Sequence, residues 1–299
     1  MTKFSLADQV TQNIITALER GVKPWANAWL IDNSAQTLPL RVCGTPYQGI
    51  NVLLLWSSAA ARGFTNPYWL TFKGALDKGG NVRKGEKGTM IVWCGQVTKK
   101  GEGEGQEDET FFTMKPYYVF NAQQCENLPA QYDTPPPVPA PITREFNRPE
   151  LDATFARLGA TIIEGGQRAF YRPSTDSIHM PDRALFSDMS RYYATLAHEA
   201  THWTGHESRL DRLPTEITKE NRAFEELVAE IGAAFLGAAL DLPADHIEDH
   251  ATYLDSWLRA LKNDRKMIFR AAAQAQKAAN FISDRIGLAG FGETMALAA

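Results

Sequence analysis

From Tyr192 to His206 the chain reads Y-Y-A-T-L-A-H-E-A-T-H-W-T-G-H, and the H-E-x-x-H inside it limits the fold more than any other stretch. On a helix, residues four apart share a face, so His198 and His202 present two imidazole nitrogens to one divalent ion. Glu199, one position round, stands where a carboxylate can take a proton from water whose pKa the metal has lowered. Ser190 is the expected N-cap and Gly205 the expected end, with Tyr193, Leu196, Ala197 and Ala200 packed inward. The competing reading is a core helix whose histidines are satisfied by hydrogen bonds alone.

Catalytic zinc takes three protein ligands and leaves a fourth position open, so a further donor is required. The stretch A-F-E-E-L-V-A-E-I-G-A-A-F-L, residues 223–236, is an apolar helix interrupted by three carboxylates. Glu226 and Glu230 are four apart on one face. One can bind metal while the other accepts the free N–H of a ligand histidine, and the expectation is Glu226 as ligand and Glu230 behind it. The alternative puts Glu225 and Glu226 on a solvated face. His206, at helical spacing beyond His202, is a rival third ligand. Arg209 and Arg212 are placed either to bind a substrate carboxylate or to pair with nearby acids.

H-E-A-T-H-W-T-G-H-E-S-R-L-D-R followed by E-E-L-V-A-E-I-G-A-A-F-L resembles the zincin-like metallopeptidase domain of ArdC-type antirestriction proteins and of plasmid-encoded polyvalent proteins. E-L-V-A-E also looks like the E-x-x-A-D or E-x-x-A-N helix that carries the third ligand in other Glu-liganded zincins. That likeness implies Glu226. Glu230 stands where those helices have Asp or Asn, a departure that touches the supporting role and not the ligand.

At 299 residues the chain is long enough for two domains, each with its own core. No window has the uninterrupted apolar length of a membrane span, and the N-terminus has no apolar signal core, which makes a cytoplasmic location the expectation. Cys43, Cys94 and Cys125 are an odd set with no C-x-x-C pair, which argues against a disulfide framework or thiolate zinc site and suggests small buried hydrophobes. The net charge of −4 hides an asymmetry: residues 1–128 hold 13 basic and 11 acidic residues, and 129–299 hold 18 and 24. Five of the first set's acids lie between Glu102 and Glu109, and without that run the first part is basic enough to suggest a polyanion partner.

Along the first part, a helix over residues 5–20 with Ser5 and Asp8 at its start is stopped by Gly21, and a second runs over about 51–62 before Gly63. A short helix near Gly74–Lys78 and strands over 90–98 and 110–121 complete a small α+β module. Its aromatics Trp25, Trp29, Tyr47, Tyr68, Trp69, Phe72 and Trp93 are interleaved with Lys23, Arg41, Lys73, Arg83, Lys84 and Lys87. Stacking rings and phosphate-neutralising cations are what a sequence-tolerant single-strand binder uses, although for any single ring a place in the core is the better expectation. The segments L-P-L-R-V-C-G-T-P-Y-Q-G-I-N-V-L-L-L-W, N-P-Y-W-L-T-F-K, G-G-N-V-R-K-G-E-K-G-T and Y-Y-V-F-N-A-Q-Q-C-E-N-L-P resemble the N-terminal single-stranded-DNA-binding domain of ArdC-type proteins, also found in some plasmid primases.

A proline-rich segment, 129–143, is the expected linker, long enough to let the two parts move. Beyond it come a helix over 149–158 and strand-like runs at 160–164, 169–172 and 177–180, the last expected to border the cleft and accept a peptide strand. His179 is expected at the surface or cleft edge. Two further helical stretches over 244–263 and 264–285 follow, with Tyr253, Trp257, Leu261, Ile268 and Phe281 as a buried stripe and His246 and His250 at the surface.

The sequence therefore predicts two domains, a small α+β single-stranded-DNA-binding module (1–128) and a gluzincin-type zincin domain (144–299). Zn2+ is the expected cofactor, with Mn2+ as another option. Single-stranded DNA and a peptide or protein are the expected partners, with no membrane. The resemblance implies protection of plasmid DNA from host restriction during conjugation. Two alternatives remain open: a DNA-shielding protein with a non-catalytic metal site, and a protease acting on DNA-bound proteins in repair.

Overall fold

Ser5 starts the first helix, α1 (Leu6–Glu19): its hydroxyl accepts the Asp8 amide while the Asp8 carboxylate accepts the Ser5 backbone N–H at 2.9 Å. Gly21, at φ 74°, takes the left-handed conformation that lets the chain leave the helix. In the computed structural model, which describes residues 5–25, 37–99, 109–133, 148–216, 218–242 and 251–288, the order continues with β1 (Leu40–Arg41), α2 (Ile50–Arg62), β2 (Tyr68–Leu70), α3 (Phe72–Asp77), β3 (Asn81–Val82), β4 (Thr89–Lys99), β5 (Glu109–Asn121), β6 (Cys125–Glu126) and α4 (Ala130–Asp133). The sheet order is β1-β2-β5-β4, with β4 and β5 a long antiparallel ribbon in register from Thr89↔Val119 to Lys99↔Glu109. The start of the expected linker is packed onto this half. Tyr132 is buried and donates its hydroxyl to the Val42 carbonyl at 2.9 Å.

The second half opens with α5 (Pro149–Ala156), where Pro149 occupies a first-turn position that needs no N–H. It continues with β7 (Thr161–Glu164), β8 (Phe170–Arg172), β9 (Ser177–Met180), α6 (Met189–Thr204), α7 (Lys219–Leu240), α8 (Ala251–Asn263) and α9 (Met267–Ile286). The three-stranded sheet has the order β7-β9-β8, with β9 parallel to β7 and antiparallel to β8. This corrects one expectation. β9 is paired on both sides and has no free edge for a peptide, so the edge strand against α6 is β8.

The two halves share their main core, and a smaller separate cluster of Leu70, Ala75, Ala122, Cys125 and Tyr132 lies within the first half. Val10, Ile14, Trp25 and Trp56 belong to one continuous apolar cluster with Phe235, Trp257, Leu261 and Ile268. Trp25 meets Trp257 edge-on with ring centroids 5.7 Å apart, and Trp56 lies 5.9 Å from Phe235. Polar ties cross the same boundary: Thr11 donates to the Arg265 carbonyl and the Gly49 amide to Gln276 Oε1 at 2.8 Å. The reason is that α1 carries a full apolar face and finds its cover on α8, in the second half. Two of the three cysteines also depart from expectation, since Cys43 and Cys94 are exposed and only Cys125 is buried.

A shared core makes unfolding cooperative across both halves. Trp257→Ala should remove about 3–5 kcal/mol of stability and lower a single calorimetric transition. Two separable transitions, with the first half unaffected, would contradict the shared core.

Candidate metal centre

Helix α6 is capped by Asp188, whose Oδ1 accepts the Arg191 amide at 3.1 Å, and not by Ser190. Ser190 is buried inside the first turn, where its hydroxyl accepts from Arg148 at 3.1 Å. From there α6 runs almost wholly buried, with Tyr193, Leu196, Ala197 and Ala200 inward, and ends at Gly205. Helix α7 approaches it closely because Gly232 has no side chain. A Cβ there would sit 2.6 Å from Thr201 Cγ2. Two turns earlier, on the same side of α7, Glu225 and Glu226 are thereby brought against the α6 histidines.

Three ligand atoms converge. His198 Nε2 and His202 Nε2 are 3.2 Å apart, and each lies 3.7 Å from Glu226 Oε2. Among the described residues these three side chains form the one cluster of metal-ligating groups. A point equidistant from such atoms lies about 2 Å from each, the length of a metal–nitrogen or metal–oxygen bond. His206 is not part of the cluster; its Nδ1 pairs with the Ser208 hydroxyl at 2.8 Å. His179 stacks on Phe170 at 4.5 Å and pairs with Ser177, in the sheet rather than at the metal.

The support behind the histidines differs from expectation. Glu225, a residue for which a solvated face was the alternative, is buried and accepts from His202 Nδ1 at 3.0 Å. Arg212 grips it with two bonds of 2.8 Å and also donates to the Thr201 carbonyl at 2.7 Å. Of the two options for this arginine, pairing with an acid is the one realised. Arg209 likewise pairs with Asp176 and lies 4.0 Å over the Trp203 ring. Glu230 lies behind the other histidine, 3.9 Å from His198 Nδ1, and Glu225 takes the corresponding place behind His202.

Electrostatics follow from burying so many acids together. Burial works to raise the Glu226 carboxyl, but His198 and His202 outweigh it and hold it well below the usual carboxylate range. Burial opposes charge on His202, yet Glu225 and Glu226 lift its pKa to about 10. Burial pushes the Glu199 carboxyl up, against the pull of the two histidines and the Tyr171 backbone amide of β8. Arg212 neutralises Glu225, and Lys23 from the first half lies close enough to Glu230 to feel its charge. Glu226 and Glu199 are left facing two imidazoles, a donor set of nitrogen and oxygen with negative charge to spare. It fits a divalent cation.

Comparison with known proteins agrees with this geometry. Residues 149–274 match the zincin-like metallopeptidase family, and residues 4–120 match the N-terminal domain of anti-restriction factor ArdC. The crystal structure of metal-free ArdC from plasmid R388 is 44% identical and superposes with a TM-score of 0.84, covering 95% of this chain and 98% of that one. The chain belongs to the ArdC antirestriction family. A Mn(II)-bound structure of R388 ArdC matches with a TM-score of 0.80 over the same coverage. Uncharacterized protein y4eC of Sinorhizobium fredii is 36% identical over 94% of this chain and 92% of its own length. DNA primase TraC of Escherichia coli is 38% identical over 92% of this chain, which spans 27% of that longer protein.

In the ArdC-type N-terminal half the expected DNA-contacting residues divide. Trp25, Tyr47 and Trp69 are buried in the core and unavailable for stacking, because the second half or the local sheet covers them. Lys23 is half-buried beside Glu230, and Tyr68 is half-buried edge-on to Tyr132. Arg83 spends its guanidinium on Glu86 and the Gln123 and Cys125 carbonyls. Lys73, Lys84 and Lys87 are exposed, and Arg41 is half-buried with its guanidinium over the Tyr47 ring. Trp29 lies outside the described residues, as do His246 and His250. Sequence reasoning passed over Tyr118 of β5, which is 59% exposed, two residues before the Phe120 ring that meets the exposed Phe72; strand alternation was the available signal.

The Arg212–Glu225–His202 chain orients one imidazole, so Glu225→Gln should weaken divalent-metal binding by about 10–100-fold, read by titration calorimetry with Mn2+ or Zn2+. Unchanged affinity would remove Glu225 from the site.

Proposed function

We propose that this chain is a metal-dependent peptidase joined to a single-stranded-DNA-binding half, and that it protects plasmid DNA entering a new host from restriction. The observation that carries the peptidase reading is the convergence of His198, His202 and Glu226 on one point with the buried Glu199 beside it. A site that only stabilised the fold would need ligands and would have no use for a second, uncommitted carboxylate at the metal.

His198, His202 and Glu226 would hold the ion, with Zn2+ the expected metal and the Mn(II) form of R388 ArdC supporting a divalent cation. When bound, it supplies Lewis acidity, polarising a peptide carbonyl and activating water near neutral pH. Glu199 takes the proton from the attacking water and returns it to the leaving amine. Glu225, held by Arg212, fixes the His202 ring with Nε2 turned to the site. Among the described residues β8 pairs with β9 alone, which leaves its outer edge for an extended peptide beside Glu199, whose carboxylate accepts the Tyr171 amide. Exposed Lys73, Lys84 and Lys87, with the exposed rings of Phe72 at the start of α3 and Tyr118 on β5, would supply the phosphate and base contacts of a DNA surface.

The deciving comparison is survival of unmodified plasmid transferred into a restricting host, wild type against Glu199→Ala at matched protein level. Glu199→Ala should still bind metal, and any peptide hydrolysis should fall by at least about 100-fold, with plasmid protection lost. Full protection by the variant would move the function onto DNA binding alone.

A further inference from the structure

A groove of about 730 Å³ runs between α2 and β4 of the first half and α9 of the second. Helix α9 lays one stripe along it. Lys266, just before the helix, is followed by Arg270, Ala273 and Lys277 at spacings of four, three and four residues, all exposed on one face. Arg41 faces them from the first half, with its Nε buried and without a hydrogen-bond partner. Among the described residues no acidic side chain lines the groove, in a chain that carries more acids than bases. Of the four cations only Arg270 makes an ion pair among the described residues, with Asp264 at 2.6 Å. Trp93, with Lys115 Nζ 5.8 Å over one face of its ring, and Phe269 add half-buried aromatic surface, while the Asn51 amide is held by the Val92 backbone.

We infer that this groove carries part of a single DNA strand, with Lys266, Arg270 and Lys277 of α9 on phosphates and Trp93 available for a base. The inference rests on the proposed single-strand-binding function and deepens it by placing half of the contacts on the metallopeptidase side. Lys266 and Lys277 are eleven residues apart, roughly 16 Å along a helix, too far to share one phosphate or diphosphate. A row of charge that long matches a repeating polyanion. Cations tracking a backbone beside aromatic rings, with no specific base-edge array, describe a sequence-tolerant strand path.

Anisotropy of a labelled mixed-sequence 20-nucleotide single strand, measured over a salt series on the full chain, tests this. Each phosphate contact on a single strand contributes about 0.7 to the slope of log affinity against log salt. The double variant Lys266→Ala/Lys277→Ala should flatten that slope by about 1.4 and weaken binding on the order of tenfold at 0.1 M salt. Trp93→Ala should cost at least about fivefold with the slope unchanged, the signature of lost stacking. If wild type binds and the double variant keeps its affinity and slope, the groove is not the path, while single-strand binding through Lys84 and Lys87 survives. If wild type does not bind at all, the single-strand reading itself falls, and this inference with it.

Discussion

The close approach of α6 and α7 is the constraint on which the site depends. Burying Glu225 and Glu230 and half-burying Glu226 in an apolar helix costs several kcal/mol per unpaired charge, and within α7 itself only the exposed Arg222, 3.9 Å from Glu226, offsets any of it. The partners come from elsewhere: two imidazoles from α6, Arg212 from the turn after it, and Lys23 from the first half. Gly232 against Thr201 sets the spacing that lets them meet. Without that contact the carboxylates would be too far from the histidines to share a cation.

What was legible in the sequence is what short-range periodicity determines. H-E-x-x-H fixes two histidines on one face whatever surrounds the helix, and the candidate ligand Glu226 stood out as a carboxylate in an apolar run. The capping box at Ser5 and the left-handed glycines that end α1 and α2 were legible for the same reason. Glu225 was not. Which of two adjacent carboxylates faces the histidines is settled by how α7 is rotated against α6, and rotation is a property of the packed pair. The order of β7, β9 and β8 was equally hidden, because strand order depends on crossover geometry that no local pattern records. The true cap of α6 differs by two positions from the expected one, since both Asp188 and Ser190 have capping chemistry and only the backbone distinguishes them.

The first half shows how a correct composition can point to wrong residues. Trp25, Tyr47 and Trp69 have the chemistry of base stacking, but the first half has too little apolar surface of its own to cover α1 and the α2 face. Its rings are therefore recruited into a core shared with α8 and α9. The rings left exposed are others, such as Tyr118 and Phe72. The aromatic count of a module thus overstates its binding surface whenever another part of the chain packs against it.

Helix α9 is where the two proposed activities come nearest. Its small buried residues, Ala271, Ala272, Ala275 and Ala279, permit close packing on α7, the helix that carries Glu225 and Glu226. Its opposite side lines the basic groove. Packed helices lie about 8–10 Å apart, so a strand in the groove would pass within a few helix widths of the candidate metal ligands. A protein already bound to that strand would then be presented to the peptidase at high effective concentration, without any contact dedicated to recognising it. In that arrangement substrate choice follows from location on the DNA more than from the peptide sequence at the cleft. A rigid, shared core serves this better than a flexible tether, because it holds the distance between strand and metal site constant.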